Sequence, residues 1–153
     1  MKQLVKLFLV GVSIVLFVNS CRTIYPSAEV NYLSGDEQTL TVRSVGVDID
    51  KEKAIINAEQ KVFDVLFFRG LPESKQKIPL ISSNEHEEIS NHKNYFDSFY
   101  DGKRHKTFVM SSIPVSNVKA RGRQKIVTLD VKVNLSALRH DLETFGVIRK
   151  FGY

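Results

Sequence analysis

The sequence holds one cysteine, Cys21, and no tryptophan in 153 residues. A single thiol excludes an intrachain disulfide. No apolar run reaches the roughly 20 residues that a membrane-spanning helix needs. The longest, Leu7 to Val18, has 12 residues and is interrupted by Gly11 and Ser13. There is no glycine-rich phosphate loop and no G-x-S-x-G nucleophile turn. Charge of one sign is also scarce, with 22 basic residues against 17 acidic ones. Lys2 and Lys6 lie ahead of the apolar run, and without them the balance is 20 against 17. That excess is too small for a nucleic-acid-binding face, which needs concentrated positive charge. What remains is an average composition, 42% hydrophobic and 25% charged, in a chain long enough for one domain.

The N-terminus carries the clearest pattern. Lys2 and Lys6 form a positive segment, Leu7 to Val18 a short apolar one, and Val18-Asn19-Ser20-Cys21 follows directly. This order matches the n-region and h-region of a secretory signal. The last four residues resemble the lipobox of bacterial lipoproteins, in which an aliphatic and two mostly small residues precede a cysteine. The resemblance implies that residues 1–20 are removed and that Cys21 carries a diacylglycerol through its sulfur. Asn19 stands where Ala or Ser is usual. The alternative is an ordinary signal peptide, or an uncleaved anchor, with a coincidental cysteine. Acyl chains hold a protein at a bilayer at about 0.8 kcal/mol per buried CH₂. No acidic cluster follows Cys21, which favours the periplasmic side of the outer membrane as the expected location. Residues 21–38, with Pro26, Ser34 and Gly35 and no periodicity, are expected to be a flexible tether.

The domain proper is expected over 39–148. Residues 39–49 are rich in β-branched side chains and read as a strand. Val45, Val47 and Ile49 alternate on one face, Leu40 and Val42 on the other, which predicts a bulge or two covered faces near Ser44-Val45-Gly46. Asp50 is placed to cap a helix over 51–68, whose stripe is Ala54, Ala58 and Val62 with Ile55, Val65 and Leu66. Residues 72–105 are the least regular, with a polar helix expected from about 84 to 100. Ile89, His92, Phe96 and Phe99 are its expected inner face. A strand over 106–119 and another over 124–134 form a hairpin turning at Ala120-Arg121-Gly122-Arg123. Val127, Leu129, Val131 and Val133 alternate cleanly on one face of the second. A last helix, capped by Asn134 or Ser136, carries the stripe Leu135, Leu138, Leu142 and Phe145 and ends at Gly146. The order strand, helix, insert, strand, strand, helix predicts an α+β fold, a small antiparallel sheet with helices on one face.

Candidate chemistry is sparse. His86 and His92 lie six residues apart and do not share a helix face, while His105 and His140 stand alone, so solvated or half-buried histidines are expected and no metal site. Asp48 and Asp50 read as one solvated residue and one cap rather than a cation pair. No cofactor is implied. Lys119, Arg121, Arg123, Lys125 and Lys132 make the hairpin basic. Such a hairpin could meet lipid head groups, an acidic partner or cell-wall carboxylates, or could simply be a solvated turn guarded against edge pairing.

From Val42 to Val133 the chain resembles small flagellum-associated envelope lipoproteins and the N-terminal domain of flagellar T-ring proteins. Val45-Gly46-Val47, Ala54, Ala58, Val62 and the run from Val127 to Val133 carry the likeness, which is mostly hydrophobic spacing. It implies a structural or assembly part. Three functions compete: a non-enzymatic envelope module that binds an envelope protein, a periplasmic small-ligand binder, and a hydrolase. Arg121 and Arg123 on the hairpin, with Tyr95 and Tyr100 in the insert, are the expected contacts with a partner. Tyr95, Phe96, Phe99 and Tyr100 would line the groove of the ligand binder.

Overall fold

The computed structural model describes residues 30–150. The fold is α+β: a five-stranded antiparallel sheet with its helices packed on one face. The strands are β1 (Asn31–Gly35), β2 (Thr39–Asp48), β3 (Val109–Pro114), β4 (Lys119–Arg121) and β5 (Gln124–Asn134). The helices are α1 (Lys51–Phe68), α2 (Glu85–Asn91), α3 (Lys93–Tyr100) and α4 (Leu135–Thr144), with a 3₁₀ turn over Arg104–Phe108. In space the strands run β1-β2-β5-β3, and β4 pairs with the start of β5.

The centre of the sheet follows the sequence pattern closely. Val127, Leu129, Val131 and Val133 of β5 are buried, and Thr128, Asp130 and Lys132 face the other side. One buried face makes the two-residue period legible and pins the register. Opposite β5, β2 pairs without interruption from Thr39↔Asn134 to Asp48↔Lys125. Of the two expectations near Ser44, a bulge or two covered faces, the bulge is absent, and Val45 and Val47 on the outer face are half-buried. The inner face of β2 is Leu40, Val42, Ser44 and Gly46, large residues giving way to small ones. Val45 and Val47 lie on the outer face with Thr41 and Arg43, and Arg43 forms a two-pronged pair with Asp130 across the strands (2.8 and 2.9 Å).

Small residues at that end of β2 let α1 settle directly on the sheet. A Cβ at Gly46 would lie 1.9 Å from the Ala54 carbonyl oxygen and 2.8 Å from the Ala58 Cβ. Ser44 Oγ donates to the Ala58 carbonyl at 2.8 Å, which satisfies a hydroxyl that has no exposed surface. Asp50 caps α1 as expected, accepting from the amides of Glu52 (2.7 Å) and Lys53 (3.1 Å). Asn134 caps α4 by accepting from Ala137 N at 2.9 Å. Leu135, Leu138 and Leu142 of α4 are buried, but Phe145 is 55% exposed and leaves the expected stripe. Its ring lies under the Arg104 guanidinium instead, 4.4 Å away.

Two boundaries differ from expectation. The tether was placed over 21–38, yet Asn31–Gly35 is an edge strand paired to β2. The described part of that segment belongs to the domain, and Tyr32 packs against the core. The polar helix of 84–100 is broken at His92 into α2 and α3. Of its expected inner face, Phe96 and Phe99 are buried, while Ile89 and His92 are only partly so. Residues 95–108 complete the core through Tyr95, Phe96, Phe99, His105 and Phe108. Phe99 packs against Phe63 and Phe67 of α1 (centroids 5.1 Å from each) and stacks on Phe108 at 5.8 Å.

Candidate functional site

The lipidation position expected at Cys21, with the signal segment 1–20, lies outside the described residues. The other expected site residues are within them, and the structure separates them into two groups.

Tyr95 and Tyr100 are structural. Tyr95 is 6% exposed, and its hydroxyl donates to Asp141 Oδ2 at 2.9 Å, tying α3 to α4. Arg104 pairs with the same carboxylate. The Tyr100 hydroxyl donates to Asp64 on α1. Burial pushes both phenols far above their ordinary value, and the facing carboxylates push the same way. Burial likewise raises Asp64, against the lowering from the Tyr100 hydrogen bond. The groove that Tyr95, Phe96, Phe99 and Tyr100 were expected to line is filled by those rings. Tyr95 stacks on Phe99 (5.6 Å) and Phe96 on Tyr100 (6.2 Å). A helical spacing of aromatics here serves packing: Tyr95 is buried, and Tyr100 is half-buried with its hydroxyl on Asp64.

Arg121 and Arg123 are where the sequence placed them, on an exposed turn. Arg121 pairs with Gln124, so Gly122 and Arg123 form a two-residue connection between β4 and β5. Gly122 has φ of 60° and is the first central residue, the position at which a tight hairpin of this kind wants glycine. Val115 to Val118 links β3 to β4 without pairing as a strand. Beneath this link, Lys51, Ile55, Pro114, Val118 and Val127 border a shallow recess beside the start of α1. The expected strand over 106–119 is thus three pieces: the 3₁₀ turn, β3 and β4. All of Lys119, Ala120, Arg121, Gly122, Arg123, Gln124 and Lys125 are exposed.

The aspartates and histidines mostly behave as expected, with one exception. Asp48 accepts from the Asp50 amide at 3.2 Å while Asp50 caps α1. His86 and His140 are exposed, and His92 Nε2 stands 3.8 Å from Glu88. His105, expected to be solvated or half-buried, has no exposed surface at all. Its Nδ1 lies 3.1 Å from the Phe99 carbonyl oxygen. Its Nε2 lies 3.7 Å from Glu59 Oε2, too long for a hydrogen bond. Those two atoms and Ser112 Oγ are buried without a hydrogen-bond partner among the described residues. Burial raises the Glu59 carboxyl, but the facing His105 and Ser112 more than offset this and hold it below its ordinary value. Sequence reasoning missed this cluster, although a signal was present. Glu59 falls one helical turn from Ile55 and from Val62 on the apolar side of α1, where a charge demands an explanation. A serine, a carboxylate and an imidazole gathered in one place resemble nucleophilic machinery only in composition. Both side chains act on the carboxylate, and burial keeps the serine oxygen from any substrate. The cluster lies where α1 meets β3 and the 3₁₀ turn.

No group of three or more His, Cys, Asp or Glu that could hold a metal occurs among the described residues, and no described helix is long and apolar enough to cross a membrane. Comparison with family models, with curated proteins and with solved structures finds no match to the chain.

Proposed function

We propose that this protein is a lipid-anchored, non-enzymatic module of the bacterial cell envelope, held by an acylated Cys21 and acting as a structural or assembly part. The observation that carries the reading is Val18-Asn19-Ser20-Cys21, placed directly behind a positive segment and a 12-residue apolar run. The domain supports it in two ways. Its aromatic cluster is spent on packing, so Tyr95, Phe96, Phe99 and Tyr100 line no groove. Its hairpin, with Arg121 and Arg123, is exposed at the end of the sheet. Arginine is among the residues that dominate binding energy at interfaces. The lipid confines the domain to the membrane and raises its effective concentration toward membrane-bound partners. The periplasmic face of the outer membrane is the proposed location, and small flagellum-associated envelope lipoproteins and the N-terminal domain of flagellar T-ring proteins are the proposed kin. Metabolic labelling with a fatty-acid analogue tests the anchor. The wild-type chain should take up label and Cys21→Ser should not; label on Cys21→Ser removes the reading.

A further inference from the structure

The charge of the domain is not spread evenly. Residues 30–150 hold nineteen basic and sixteen acidic side chains. At the end of the sheet where β2 stops, α1 starts and β4 turns into β5, the basic residues are Lys51, Lys53, Lys119, Arg121, Arg123 and Lys125. The acidic ones there are Asp48, Asp50 and Glu52, so this end is six against three and everything else is thirteen against thirteen. The whole positive excess of the described residues therefore sits at one end. Two of its three carboxylates are engaged with backbone amides, Asp48 with Asp50 N and Asp50 with the first turn of α1.

Apolar side chains stand exposed among these cations. Ile49 is 71% exposed, between the two aspartates, and Val118 (37%) and Val115 (43%) lie on the link into β4. Exposed Ile and Val at an end of the sheet where cations outnumber carboxylates suit the headgroup region of a bilayer. The apolar groups enter the acyl boundary and the cations meet phosphate.

The path of the chain points the same way. β1 is antiparallel to β2, with Asn31 opposite Arg43 and Gly35 opposite Leu40. The N-terminal end of β1 thus faces the end of the sheet where β2 finishes and the hairpin turns. Cys21 precedes Asn31 by ten residues, a reach of at most about 35 Å. An anchor at Cys21 holds the start of β1 within that distance of the lipid, and the basic end lies five residues of β2 further on, about 17 Å.

We infer that this end of the domain docks onto the anionic headgroups of the bilayer that holds the anchor, with Ile49 and Val118 as the wedge and Lys119, Arg121, Arg123 and Lys125 as the phosphate contacts. This rests on the lipid-anchor reading for its geometry, and it names the bilayer as what the hairpin meets first. The outer face of the sheet then remains open to a protein.

The test uses the full chain, purified from membranes and reconstituted into vesicles of phosphatidylcholine alone or with phosphatidylglycerol. Val118→Cys should react with a water-soluble thiol reagent severalfold more slowly in the anionic vesicles. Ser136→Cys, exposed at the opposite end of the sheet, should react equally in both. Adding Arg121→Glu and Arg123→Glu should restore the Val118→Cys rate, since each cation near the surface is worth about fivefold in binding. Equal Val118→Cys rates in the two vesicles overturn the inference and leave an acidic protein as the hairpin's partner. The parent chain separates the two readings. If its Cys21 reacts with the reagent, the anchor has failed, and docking is then judged by flotation. Salt-reversible flotation with anionic vesicles alone supports docking without an anchor, and no flotation overturns both.

Discussion

The insert at 95–108 and the hairpin at 115–125 look alike in sequence. Both are polar, both carry prominent side chains suited to binding, and both follow regions of weak periodicity. In three dimensions they part company. Tyr95, Phe96, Phe99, His105 and Phe108 turn inward and close the core beside α1. Arg121 and Arg123 turn outward on a glycine hinge, with no apolar residue of the turn to draw them in. The difference lies in spacing. Phe96 and Phe99 are three apart on a helix and share a face with Tyr95 close by. Residues 119–125 alternate nothing apolar on either face except Ala120. Large aromatics at helical spacing report burial, and a basic glycine turn reports surface.

The sharpest way to break the comparison is to truncate one member of each region. Phe99→Ala should cost about 3–5 kcal/mol, because it empties a site against six other rings. Arg121→Glu with Arg123→Glu should shift stability by less than about 0.5 kcal/mol. Denaturant melts of the two variants check this, and similar midpoints would mean that the insert is not part of the core.

A smaller effect sharpens the account of how α1 meets the sheet. Gly46→Ala should cost about 1–3 kcal/mol through overpacking, since the new methyl meets the backbone of α1 rather than a movable side chain. Val45→Ala, on the outer face next door, should cost less. A melt in which Gly46→Ala matches the wild type would show that the helix does not rest on the strand as described.

The buried cluster behind the insert predicts a pH dependence. The Glu59 carboxyl is held below its ordinary 4.5 in the folded protein. A lowered folded value stabilises the fold above the ordinary value, and the contribution is lost as pH falls through the lowered one. Glu59→Gln should therefore melt below the wild type at neutral pH, and the gap should close on acidification below about 4.5. Asp64, raised by burial, works in the opposite direction, but it is common to both chains and cancels in the difference. A gap that persists unchanged into acid would place the stabilisation elsewhere.

How much of this was legible in the sequence depends on whether a signal was local. The β5 alternation and the Asp50 and Asn134 caps are local, and they read correctly. β1 was not legible, because Asn-Tyr-Leu-Ser-Gly has no alternation, its register shifts between Tyr32 and Ser34, and only pairing with β2 makes it a strand. The bulge expected in β2 came from valuing apolar residues over small ones. Ser44 and Gly46 look like an interruption until α1 is seen pressed against them. Tyr95 and Tyr100 were read as contacts because aromatics favour interfaces, while their partners, Asp141 and Asp64, lie 46 and 36 residues away in sequence. The charge excess at the hairpin end was half visible. Lys119 to Lys125 is a run, whereas the contribution of Ile49, Lys51 and Lys53 appears only when β2 and β5 are set side by side.

Lysine-reactive footprinting of the full chain in native membranes and in detergent sets the hairpin directly against the insert. The account predicts that Lys119 and Lys125 are protected in membranes and become reactive in detergent, while Lys93 and Lys103 of the insert react equally in both. Protection of Lys93 and Lys103 with Lys119 and Lys125 unchanged would contradict it.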